Sequence, residues 1–273
     1  MKKRPHLAGM VILCLLLVVS LSPILLVLIN SLKTHEEILR NPLSIPTVLH
    51  FENYTKTWEA AAFSTAFLNS LKVTGTAIVI ACFAAACIGY VLAGKKLASW
   101  KLISLYFMLA TTIPLQLFVL PLYSTFVKLN LLGNPYAVGV AIAAWNIPLP
   151  VFLMRTYYLK VPAELEEAAR VDGASTFQVF TKVMLPIVSP GMITAAIVVG
   201  LSAWNEYLLT STLLQGEKNF TATLRYVNLN NAFSVDYSVL MAGAAILVVP
   251  MIVLFLLLQK KFIEGMASGA VKG

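Results

Sequence analysis

Six stretches of roughly 20 mostly apolar residues punctuate the chain, each close to the length that carries a helix across a bilayer core. They cover residues 8–30, 71–93, 103–123, 137–157, 187–209 and 239–258. The pattern predicts an all-α, polytopic membrane protein with six transmembrane helices. The first run follows Lys2, Lys3 and Arg4, as a signal peptide would, but it is longer than a signal h-region and no small-residue cleavage site follows it, so it is expected to stay as an anchor. Basic residues set the orientation. An inside N-terminus leaves 13 of the 20 Lys and Arg in inner segments, among them Lys95, Lys96, Lys101, Arg155, Lys160, Arg170, Lys182, Lys260, Lys261 and Lys272. Both termini are therefore expected to be cytoplasmic.

Composition supports this class: 59% of residues are hydrophobic and 12% charged, far from the soluble norm. The net charge of +8 lies mostly between apolar runs rather than along one face, so it reads as a topology signal and not as a nucleic-acid surface. Cys14, Cys82 and Cys87 sit inside apolar runs without Cys-x-x-Cys spacing or a His cluster, which supports neither a disulfide framework nor a metal site.

The most specific segment lies between the fourth and fifth runs. Pro162 suits the first position of a helix, and Glu164, Glu166 and Glu167 complement the positive end of its dipole. Gly173 can adopt the left-handed conformation that closes a helix, and Ser175, Thr176, Phe177 and Gln178 have capping-box spacing. A helix-turn-helix at the cytoplasmic surface is the expectation.

Within it, Glu167, Ala168 and Ala169, then Gly173, then Val183, Met184, Leu185 and Pro186 resemble the EAA loop of ABC importer permeases, with Val183 where the family usually has Ile. The resemblance implies a type I ABC importer transmembrane domain. It also implies a coupling helix over residues 162–172 that docks on a cytoplasmic ATPase subunit, with Glu167, Ala168, Ala169, Asp172, Gly173, Leu185 and Pro186 at the contact or its hinge. Asn69, Ser70 and Leu71, the Trp204, Asn205, Glu206 and Tyr207 group, the segment from Gln259 to Gly265, and the closing Gly269, Ala270, Val271, Lys272 and Gly273 resemble the smaller permease of maltose-type carbohydrate importers. That family implies a second related permease, two ATP-hydrolysing subunits that bind ATP and Mg, and an extracytoplasmic sugar-binding protein, with no cofactor in this chain. The expected organisation is residues 1–66 as anchor and first outer loop, 67–262 as permease domain with the EAA loop at 160–186, and 263–273 as cytoplasmic tail in a bacterial inner membrane.

Polar residues inside membrane spans are costly and point to a pathway or a partner helix. Gln116, Asn146, Trp204, Asn205 and Glu206 are the candidates for the substrate pathway, since sugars are bound by hydrogen-bonding groups beside aromatic faces. An interfacial aromatic belt accounts equally for Trp204 and Tyr207, and interhelical hydrogen bonding for Asn146 and Asn205. Pro114, Pro121, Pro148 and Pro150 are expected to kink the third and fourth spans, as pathway hinges or as static packing features.

Residues 89–96 nearly spell a phosphate-binding loop, but Lys96 replaces its hydroxyl and the segment ends an apolar run instead of a strand. No ATPase site is expected in this chain. A secondary transporter is disfavoured because Glu206 is the one carboxylate inside a predicted span. An ABC permease for peptides, amino acids, phosphate or metal shares the same loop and stays open as the alternative.

Overall fold

The computed structural model describes residues 7–94, 98–230 and 236–270, and among them every regular element is helical. Lys2, Lys3, Arg4, Lys95, Lys96, Val271, Lys272 and Gly273 lie outside the described residues. The chain forms two compact units, Met1–Ser64 with Arg225–Val253, and Thr65–Leu224 with Leu254–Gly273.

Among the described residues three helices are long and apolar enough to cross a bilayer alone, and three bent helix pairs bring the total to six. The single helices are α1 (Leu7–Asn30), α4 (Phe63–Gly94) and α15 (Tyr237–Ala270). The pairs are Trp100–Ala110 with Leu115–Lys128, bent by 94°, Pro135–Asn146 with Pro148–Tyr158, bent by 56°, and Thr176–Ile187 with Ser189–Trp204, bent by 75°. Pro114 stands at the first break and Pro148 opens the helix after the second, as their missing N–H groups dictate. Pro121 instead sits in the first turn of α6 (Val119–Lys128), where it breaks nothing.

In the first unit α1 is exposed along its apolar length, so its solvent must be lipid or another chain. The loop after it is held by polar bonds rather than by apolar packing. The buried Asn53 amide donates to the carbonyls of Ser31 (3.0 Å) and Lys33 (2.9 Å). The fully buried Lys33 ammonium donates to the carbonyls of Asn41 (3.1 Å) and Pro42 (3.3 Å), so the charge is solvated by backbone at the end of α2 (His35–Arg40). Thr34 and Glu37 close a capping box on α2, and the Thr34 backbone N–H donated to the Glu37 carboxylate holds that group below its ordinary pKa.

The second unit packs in two clusters. One joins Val73, Ala77 and Ala81 of α4 to Val138, Ile142 and Ala143 of α7 (Pro135–Asn146) and to Val199 and Ala203 of α12 (Ser189–Trp204). The other joins Ala85 and Leu92 of α4 to Val151, Met154 and Tyr158 of α8 (Pro148–Tyr158) and to Val179, Met184 and Val188. Small residues allow the close approach: a Cβ at Gly139 would lie 2.7 Å from the Thr76 Cβ, and one at Gly89 would lie 2.8 Å from the Met154 Cβ. Gly89 and Gly94 are thus residues of a membrane helix and not parts of a strand-turn-helix loop.

Asn69 and Ser70 pin the loop that precedes α14 (Ala222–Asn230). The buried Asn69 amide donates to the carbonyls of Lys218 (2.8 Å) and Phe220 (3.2 Å), and the Ser70 hydroxyl accepts from the Ala222 N–H at 2.9 Å. Their place at the start of an apolar run therefore has a structural cause, the satisfaction of buried backbone polar groups.

Candidate functional site

The loop between the fourth and fifth spans folds as two helices around a tight turn. Pro162 is the N-cap, one place earlier than expected, and α9 runs Ala163–Val171. Glu166 and Arg170 pair one turn apart at 2.8 Å, and the hydrogen bond from Arg170 to Glu166 raises the guanidinium pKa further. Arg170 also reaches the Thr176 hydroxyl at 3.4 Å, which ties α9 to the next helix. The C-terminus is a Schellman turn: the Ala174 N–H donates to the Ala169 carbonyl and the Gly173 N–H to the Arg170 carbonyl, both at 3.0 Å, with Gly173 at φ +84°. A Cβ on Gly173 would meet nothing within 4 Å, so glycine stands here for its dihedral and not for space.

Ser175 then caps α10 (Thr176–Gln178) with the expected capping box: its hydroxyl accepts from the Gln178 N–H at 3.3 Å, and Gln178 Oε1 accepts from the Ser175 N–H at 2.8 Å. A π-helical turn, Val179–Met184, follows and runs into α11 (Leu185–Ile187). Pro186 lacks the N–H that would bind the Lys182 carbonyl, and Leu185 reaches back to Phe180 instead. Ala169, Val179, Met184 and Leu185 face the core cluster around Tyr158, while Glu167, Ala168, Asp172, Gly173 and Pro186 are exposed. Two exposed apolar side chains flank the turn, Val171 at 88% and Phe177 at 74%. The sequence does not single them out, because an apolar residue in an amphipathic helix looks like core; only the turn geometry sends both outward. Beneath α9 lies a cavity of about 780 Å³ bordered by Tyr90, Tyr158, Pro162, Glu166 and Arg170.

The polar pathway candidates gather at helix breaks. Gln116 lies in the 3-10 turn Leu115–Phe118, directly after Pro114. Asn146 ends α7, with its amide turned back to the Ile142 carbonyl at 2.9 Å, and the adjacent Trp145 packs edge-on to Phe118 at 5.9 Å. Trp204 ends α12 against Phe67 at 5.7 Å. Asn205 is exposed, its amide on the Leu201 carbonyl at 2.8 Å. The fifth helix stops five residues before the predicted end of its apolar run, and a separate helix α13 (Leu208–Leu213) follows. Glu206 explains the break, since its carboxylate accepts from the N–H groups of Leu209 (2.8 Å) and Thr210 (3.0 Å) at the start of α13. The structure brings Trp204, Asn205 and Glu206 together at one break; among the described residues no hydrogen bond joins them to Gln116 or Asn146.

Residues 77–267 match the family of binding-protein-dependent transport system inner membrane components. The chain belongs to that family. It is 33% identical to the probable ABC transporter permease protein YurM of Bacillus subtilis, over 96% of this chain and 87% of the relative. It is 31% identical to the arabinooligosaccharides transport system permease protein AraQ of Halalkalibacterium halodurans, over 93% and 92%. With the trehalose transport system permease protein SugB of Mycobacterium tuberculosis it shares 30% identity over 93% of each. A crystal structure of a bacterial ABC transporter involved in the import of the acidic polysaccharide alginate superposes with a TM-score of 0.81, at 22% identity over 93% of this chain and 95% of that one. The protein therefore has the transmembrane fold of an ABC importer and is a multi-pass membrane transport subunit.

Glu206 gives this permease a testable dependence. Glu206→Ala strips two acceptor bonds from the α13 N-terminus and is expected to cost about 1–2 kcal/mol, read as a lower melting temperature in detergent, while Glu206→Gln retains one acceptor and loses about half as much.

Proposed function

We propose that this permease forms part of the translocation pathway for a di- or oligosaccharide in a bacterial inner membrane, and that it takes its energy from partner ATPases through α9. The observation that carries the coupling role is the turn at Gly173: a short helix, closed at its C-terminus and tied to the next helix, presents Glu167, Ala168, Asp172, Val171 and Phe177 outward while Ala169 anchors it to the core. Such a helix moves as a body, and the spans behind it are packed, so a push has a bistable element to act on. Ala168 admits close approach, the carboxylates offer acceptors to a basic partner, and Val171 and Phe177 supply the apolar contact. Leu185 and Pro186 carry the push into the fifth span.

Carbohydrate is the favoured cargo because arabinooligosaccharides and trehalose name the transport systems of its relatives AraQ and SugB. ATP and Mg are assigned to two ATPase subunits, not to this chain, and delivery to an extracytoplasmic sugar-binding protein; a second related permease completes the pathway. Inside placement of both termini rests on the bias of Lys and Arg. Gln116, Asn146, Trp204, Asn205 and Glu206 are proposed as pathway residues because each stands at a break, where backbone and side-chain polar groups meet a cavity or a partner rather than lipid.

Deleting the gene is expected to reduce uptake of at least one labelled sugar among arabino-oligosaccharides, trehalose, diacetylchitobiose and maltodextrins to background, with recovery on complementation. Unchanged uptake of every sugar, together with lost uptake of a peptide or of phosphate, rejects the carbohydrate assignment and leaves the ABC fold untouched.

A further inference from the structure

One charged cluster has no use in the coupling loop or the pathway breaks. Arg155 lies in the last turn of α8, with its guanidinium carbon 5.8 Å from the centre of the Trp100 ring. The Lys101 ammonium lies 5.9 Å from the same ring. The Arg155 Nε–H is buried and meets no acceptor, and the Ser104 hydroxyl, one turn further along α5 (Trp100–Ala110), is likewise buried and unpartnered. Among the described residues no carboxylate pairs with Arg155 or Lys101. Ser99 places no side chain on the first N–H groups of α5, so the positive end of that helix adds to the two cations. A buried guanidinium N–H without an acceptor is unfavourable, and the two neighbouring cations have no anion among the described residues.

The surroundings indicate where the anion comes from. Trp100 starts one apolar helix pair and Arg155 lies in the last turn of the next, so both stand at a membrane boundary, the level at which Trp and basic residues meet headgroups. No residue of α5 is buried, and Leu105 and Leu109 continue outward from the cluster as an uncovered apolar face. We infer that Arg155, Lys101 and Trp100 bind the phosphate of an anionic phospholipid headgroup, with the acyl chains lying along α5. Ser104 supplies a further donor.

The test uses the full-length permease extracted in detergent with its co-purifying subunits, probed with dioleoylphosphatidylglycerol, dioleoylphosphatidylcholine and inorganic phosphate. Native mass spectrometry is expected to retain phosphatidylglycerol, which also raises the melting temperature, while the other two probes do neither. Arg155→Gln and Lys101→Gln are each expected to lower that retention at least about fivefold, Arg155→Lys to keep most of it, and Lys128→Gln to change nothing, since each phosphate contact is a charge-assisted bond. If Arg155→Gln does not accumulate, Lys101→Gln, an exposed position, decides alone. Equal retention of phosphatidylcholine, a melting shift from inorganic phosphate, or variants without effect overturns the inference. Loss of a subunit from Arg155→Gln with lipid retention intact also overturns it and assigns the counter-charge to a neighbouring chain.

Discussion

Gly173→Pro is expected to stop transport while leaving the protein in the membrane. Proline fixes φ near −65°, whereas Gly173 sits at +84°, and it removes the N–H that bonds to the Arg170 carbonyl. It also disfavours the backbone of Asp172, whose ψ is 3°, because the residue before a proline is driven to extended backbone. Together these changes cost the turn about 5 kcal/mol, enough to bring an arrangement about 99% populated down to about 2% and to cut uptake at least about 20-fold. Gly173→Asn is the matched control. Asparagine tolerates the left-handed region, and there is open space for its side chain, so uptake should stay within about threefold of the parent. Uptake by membranes with equal amounts of inserted protein separates coupling from expression.

The second large effect is expected at Gly139, where α7 crosses α4. A Cβ there would lie 2.7 Å from the Thr76 Cβ and 2.8 Å from the Val73 carbonyl oxygen, which is backbone and cannot swing aside. Gly139→Val must therefore force the two helices apart through the core cluster of Val73, Ala77, Val138 and Ile142, at a cost of about 3 kcal/mol. Little monodisperse protein should survive detergent extraction. Gly75→Ala, on α4 with nothing within 4 Å of its added Cβ, should leave the melting temperature unchanged or raise it. Equal behaviour of the two variants would show that α4 and α7 do not cross as described.

The contrast between these glycines marks the limit of what the sequence conveys. Gly173 is legible, because a glycine between an acidic-led helix and a capping box has one structural reading. Gly139 is not, since nothing in an apolar run reveals which residue meets a neighbouring helix. The six spans are legible from apolar length alone, and Pro114 and Pro148 mark two of the three bends. The end of the fifth helix is hidden: Leu208 and Leu209 continue the apolar run, and a carboxylate such as Glu206 looks like an intruder until its bonds to the Leu209 and Thr210 N–H groups reveal a helix start. The π-helical turn before Pro186 is hidden for a related reason, because it depends on how the freed carbonyls are satisfied by the folded backbone. Residues 63–70 of α4 fall outside the apolar run, since their helix is held partly by the Asn69 and Ser70 bonds.

Cross-linking at Val171 tests the coupling role of α9 most directly. With Cys14, Cys82 and Cys87 replaced, Val171→Cys in native membranes should join a cytoplasmic ATPase subunit through a short maleimide–succinimidyl ester linker, which takes the introduced thiol at one end and a lysine amine of the subunit at the other, with a yield that changes when ATP is added. Absence of that adduct, while the same variant imports sugar normally and its thiol reacts with a soluble maleimide, would contradict energy transfer through this loop.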